Sequence, residues 1–131
     1  MSAQELLRKH ADELAGITGL VVEVIQDNGR LFTLFHDYGL PGQIAGVERT
    51  DVLFIADLQY PLSALDMFWT EIAVIRPEGS IFENSDSIEE YMGRKWRRFS
   101  YHRNGIWNPV GNPLIDHFAF METRWTGKAV R

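Results

Sequence analysis

The run Val52-Leu53-Phe54-Ile55-Ala56 constrains the fold of this chain more than any other stretch. Side chains along a strand alternate between the two faces of a sheet, so an unbroken apolar run is the signature of a strand buried on both faces. It belongs in the centre of a sheet. Residues 3–15 place Leu7, Ala11 and Leu14 on one stripe with charges opposite. With Gly16 as a stop, that spacing predicts an amphipathic helix to pack on the sheet. Residues 20–25 and 31–35 are apolar runs on either side of Asp27-Asn28-Gly29, a turn sequence that tolerates positive φ, and they predict a hairpin.

Residues 36–48 read as a long connection from which Leu40 folds back onto the core, because Gly39-Leu40-Pro41-Gly42 is rich in turn formers. After the central strand, Tyr60-Pro61-Leu62 breaks the pattern, since Pro61 cannot donate to a ladder, and residues 67–75 supply a fourth strand. Asp66 hydrogen-bonds within that break. Residues 76–87 are polar and aperiodic, a loop of a length that is more often functional than accidental. Residues 88–92 add a helical turn. Residues 96–102 run extended, with Trp96, Arg98, Ser100 and His102 on one face and Arg97, Phe99 and Tyr101 on the other. Asn112-Pro113 is an N-cap followed by proline at the first helical position. Leu114, Phe118, Met121 and Trp125 then repeat at helical spacing, and the helix ends near Gly127. His117 sits beside that stripe as a core or boundary histidine. The order predicts one α+β domain over residues 1–131: an N-terminal helix, a four-stranded antiparallel meander, a long irregular segment and a C-terminal helix.

Several function classes drop out on composition. The net charge of -5 argues against a general nucleic-acid binder, although Arg94, Lys95, Arg97, Arg98 and Arg103 form a basic run interleaved with Trp96, Phe99 and Tyr101. No stretch has the roughly 20 apolar residues of a membrane-spanning helix, and the charged N-terminus does not read as a signal peptide, so we expect a cytoplasmic protein that works away from membranes. The chain has no cysteine, which excludes disulfides, thiolate metal sites and thioester chemistry on its own side chains. His10, His36, His102 and His117 show no metal-binding spacing, and no glycine-rich phosphate loop occurs, so neither a metal nor a cofactor is expected.

The break Tyr60-Pro61-Leu62 before Leu65-Asp66-Met67-Phe68-Trp69 resembles the tyrosine-proline turn and following strand of the ubiquitin-conjugating (UBC) fold, and Trp107-Asn108-Pro109 resembles its tryptophan-x-proline. Leu40-Pro41-Gly42, Tyr60-Pro61 with Asp66-Met67-Phe68-Trp69, and the run from Gly93-Arg94-Lys95-Trp96 through Arg97-Arg98-Phe99-Ser100-Tyr101-His102 are similar to the prokaryotic E2 family E. These motifs span about residues 20–125. The resemblance implies a bacterial conjugation system with an E1-like adenylating enzyme and a ubiquitin-like protein as partners, and a role in defence against phage. This chain departs from ordinary E2 enzymes in two places. Where their histidine-proline-asparagine motif would fall it has Ala73-Val74-Ile75-Arg76-Pro77-Glu78, and no cysteine stands near residues 93–99.

A transferase of this kind needs a hydroxyl or amine nucleophile. Ser100 is the first candidate. His102, two residues along the same strand face, is the candidate general base, and Arg94 or Arg98 would stabilise negative charge on the acyl oxygen of an oxyester. Arg94, Trp96 and Arg98 are the candidate contact surface, being residue types enriched at interfaces. Two readings therefore stand: an oxyester-forming E2-like carrier, and a non-catalytic UBC-like module that scaffolds the E1-like enzyme and the ubiquitin-like protein.

Overall fold

The computed structural model describes residues 1–103 and 105–126. Helix α1, Ala3–Thr18, starts at a capping box in which the Ser2 hydroxyl accepts from Glu5 N at 3.1 Å and Ser2 N donates to Glu5 Oε1 at 2.9 Å. It does not stop at Gly16. A glycine inside a helix costs only about 1 kcal/mol, and the helix runs on to Gly19, whose φ of 76° and N–H to Ala15 O form the real cap.

Strands β1, Val21–Asp27, and β2, Arg30–Gly39, form the expected hairpin, closed by Asn28 and Gly29, both at positive φ. β2 is longer than the apolar run suggested. It passes a register shift between Phe35 and Tyr38 and continues to Gly39, so the connection is shorter, and Leu40 is buried as expected. β3, Arg49–Asp57, contains the apolar pentad and lies inside the sheet. β4 is only Phe68–Thr70. The expected strand over residues 67–75 ends early because the chain turns away. Glu71 N donates to Thr50 Oγ1, Val74 N to Glu71 O and Ile75 N to Ala73 O, and Val74 tucks into the core.

The helical turn expected at residues 88–92 is instead strand β5, Ser87–Tyr91, which hairpins onto β6, Arg94–Phe99. Its two-residue turn has Met92 at φ 57° and Gly93 at φ 73°, the left-handed pair that matches the twist of flanking strands. Among the described residues the sheet therefore has six antiparallel strands rather than four, in the order β1-β2-β3-β4-β6-β5. Helix α2, Pro113–Thr126, is capped by Asn112 Oδ1, which accepts from Leu114 N and Ile115 N. Gly127, where that helix was expected to end, lies outside the described residues.

The α+β architecture is the expected one, a helix, an antiparallel sheet and a closing helix. One sheet face packs Val22, Leu31, Phe35, Phe54, Phe68 and Phe99 against Leu7 and Leu14 of α1 and Leu114, Phe118 and Trp125 of α2. The opposite face buries a second cluster, Phe32, Leu34, Leu53, Trp69 and Trp96, with no helix residue in it. The sheet covers that face by curling. Tyr91, on the far edge strand, meets Phe32 of β2 at a centroid distance of 5.5 Å and Trp69 at 6.1 Å, and Arg30 lies over its ring.

Candidate functional site

Alternation along β6 sets Trp96 and Arg98 on the curled face, as the sequence indicated, and because the strand begins at Arg94 it sets that residue there too. The two arginines are held by carboxylates from other segments of the chain. Arg94 Nη1 donates to Asp51 Oδ2 at 2.9 Å, Nη2 reaches Glu71 Oε2 at 3.6 Å, and the guanidinium lies 4.3 Å above the Trp96 ring. Trp96 itself is 1% exposed. Its expected role as part of a contact surface is thereby corrected: the indole supports Arg94 from beneath and has no surface to offer a partner.

Arg98 sits between strands. Register places it opposite Trp69 on one side and Ser87 on the other. Its Nη1 donates to Glu89 Oε2 at 2.7 Å, Nη2 to Ser87 Oγ at 3.3 Å and Nε to Ser100 Oγ at 2.8 Å. Glu89 also accepts from Trp69 Nε1 and the Tyr91 hydroxyl, both at 2.8 Å. Burial acts to raise the pKa of Glu89, but these hydrogen bonds and the Arg98 charge outweigh it and hold the carboxyl below its usual range. Glu89 is thus an ionised hub that sequence reasoning missed, because residues 88–92 did not show the period of a strand.

Ser100 and His102 follow the end of β6. Ser100 N donates to Asn84 O at 2.9 Å, and its hydroxyl oxygen accepts from Arg98. His102 Nδ1 donates to Asp66 Oδ2 at 2.7 Å, while Asp66 Oδ1 accepts from Met67 N at 3.1 Å. Asp66 does bond within its turn, as expected, and it also orients the His102 ring. The side chains of Ser100 and His102 are thus engaged by Arg98 and Asp66 respectively.

Asp66 stands at the junction of two clefts. One, of about 350 Å³, lies over the curled face and is lined by Arg30, Asp57, Trp69, Glu89, Tyr91 and Arg98. The other, of about 330 Å³, runs between two loops and is lined by Leu65, His102, Arg103, Gly105 and Trp107. Those loops are tied together where Trp107 Nε1 donates to Pro61 O at 2.7 Å, beside the cis Tyr60-Pro61 bond. Tyr60 is buried with its hydroxyl 2.7 Å from His10 Nδ1, so the turn is anchored on α1. The loop tips point apolar groups outward: Leu62 is 74% exposed, Ile106 96% and Val110 77%.

Among the described residues no group of three or more metal-ligating side chains comes together, and no helix is long and apolar enough to cross a membrane. The segment in which an E2 enzyme would carry its cysteine is here an inner strand, β6, hydrogen-bonded between β4 and β5. No curated protein and no solved structure matches the chain. The prokaryotic E2 family E matches residues 7–126, from α1 to the last turn of α2. With that match over nearly the whole chain, on an E2-like fold, the protein belongs to the prokaryotic E2 family E.

Proposed function

We propose that this domain serves a prokaryotic ubiquitin-like conjugation system as a cysteine-free E2-type docking component, which engages an E1-like adenylating enzyme and a ubiquitin-like protein in the bacterial cytoplasm. The observation that carries this reading is the contrast between two neighbouring regions. Along residues 94–102 the candidate polar groups are committed to intramolecular partners. The adjoining loops, joined through Trp107 and Pro61, present Leu62, Ile106 and Val110 to solvent. A surface is on offer where a nucleophile is not. A role in defence against phage belongs to the same proposal.

The oxyester reading is favoured by one pair of contacts. Arg98 Nε donates to Ser100 Oγ, and Asp66 orients the His102 ring through Nδ1. In that reading Ser100 Oγ attacks the activated carboxyl carbon of the modifier, its proton passes to His102, and the activating group leaves.

The test combines intact mass with binding. The protein is incubated with the E1-like enzyme, the ubiquitin-like protein and ATP, and Ser100→Ala and Ile106→Asp are run alongside. The docking reading expects no covalent adduct and an affinity about tenfold or more weaker for Ile106→Asp, the loss of one buried apolar anchor. A hydroxylamine-sensitive adduct that Ser100→Ala abolishes would overturn it in favour of the oxyester.

A further inference from the structure

The two edges of the sheet are treated differently. At β1 the Arg8 side chain comes down from α1 and donates from Nη1 to Val22 O at 3.3 Å and from Nη2 to Val24 O at 3.4 Å. Residues two apart on a strand point their carbonyls the same way, so one guanidinium closes two acceptors on the outer side of that edge. Unpaired edges invite strand pairing, and Arg8 blocks it here.

At the other edge β5 pairs with β6 alone. The two-residue turn makes Tyr91 and Arg94 a hydrogen-bonded pair, and the alternation of an antiparallel ladder then turns Ser87, Glu89 and Tyr91 inward. The N–H and C=O of Ile88 and Glu90 are left facing out, and nothing among the described residues meets them. Beside this strip of donors and acceptors the Ile88 side chain is 45% exposed, an apolar seat for one residue of an incoming strand.

Charge selects the occupant. Glu89 is turned to Arg98, but Glu83, Asp86 and Glu90 are exposed along the strand and its approach, against Lys95 across the hairpin. A second copy of this chain would add its own Glu83, Asp86 and Glu90 to an edge that is already acidic, and like charges opposed across strands are destabilising. An extended segment with lysine or arginine at alternate positions meets the carboxylates and lays its apolar residues on Ile88.

We propose that the outer edge of β5 accepts an extended basic segment of another protein as a seventh strand. The proposal does not depend on the docking role of the loops around Trp107, because it uses only the outward N–H and C=O groups and the exposed side chains of β5.

Two soluble probes test it: a seven-residue peptide of alternating lysine and valine, and its counterpart with glutamate for lysine. Each is titrated into the intact protein while backbone amide exchange is followed by NMR. The lysine peptide should slow exchange at Ile88 and Glu90 and leave the β1 edge unchanged. The glutamate peptide should bind about fivefold more weakly, and Glu90→Lys should reverse the order of the two. Failure of the lysine peptide to bind at millimolar concentration would overturn the proposal. So would equal protection of both edges, or an unchanged preference in Glu90→Lys. Protection that grows with protein concentration without peptide would overturn it too, because the occupant would then be a second copy.

Discussion

His117 shows at the scale of one residue how the interior constrains chemistry. The ring is fully buried between Phe54 and Phe120, and Nε2 donates to Met67 O at 2.8 Å. Burial pushes its pKa down to about 4 against that one favourable hydrogen bond. The folded state therefore refuses a proton that the unfolded chain accepts near pH 6.5. The stability this contributes is complete above pH 6.5 and is lost as pH falls toward 4, and the whole effect amounts to about 3 kcal/mol. Urea midpoints measured from pH 7 to pH 4 should fall accordingly, and His117→Leu should remove most of that slope while lowering stability at neutral pH. An unchanged slope would place the acid sensitivity elsewhere. The position of His117 beside the apolar stripe of α2 was readable in the sequence. Its partner, the Met67 carbonyl, was not, since nothing in the chain pattern links residues so far apart.

Among the elements, the β5–β6 hairpin departs most from what the sequence conveyed. The first hairpin announced itself through Asn28-Gly29, and α1, β3 and α2 through their apolar periods. In the second hairpin a methionine takes the left-handed position ahead of Gly93, a residue type that does not signal a turn. Its buried face also carries Glu89, Arg94 and Arg98 as matched charges where a core-facing strand would show apolar residues. Both irregularities hid the strand. The same remoteness hid half of the site: Arg98 and Ser100 could be placed on one face by alternation, whereas Glu89 and Asp66 become their neighbours' partners only after folding. The turn itself is open to test. No atom lies within 4 Å of a Cβ built on Gly93, so Gly93→Val meets only the penalty of its φ of +73°. That penalty should cost about 1–2 kcal/mol in urea unfolding, with Gly93→Asn losing less. Equal losses for both would show that something other than backbone conformation is at stake.

For the whole molecule, the curl of the sheet does what a further layer of helices would do in a flatter protein. Phe32 and Tyr91 belong to strands separated by three others, yet their rings touch. Aromatic pairs of this kind couple by about 1 kcal/mol beyond the surface they bury. A double-mutant cycle of Phe32→Ala and Tyr91→Ala should return a coupling of that size, and a value near zero would mean that the hairpin does not close over β2 in solution. The closure depends on a narrow join. β4 meets β3 at Val52↔Thr70 and Leu53↔Trp69 and meets β6 over Phe68–Thr70, so among the described residues three carry the sheet ladder from the meander to the hairpin. On a ribosome, the helix and the first three strands emerge able to pair with one another. Phe68–Thr70 then has a partner on one side only, and the nascent domain stays unfinished until Phe99 has been translated and the late hairpin can close the other flank.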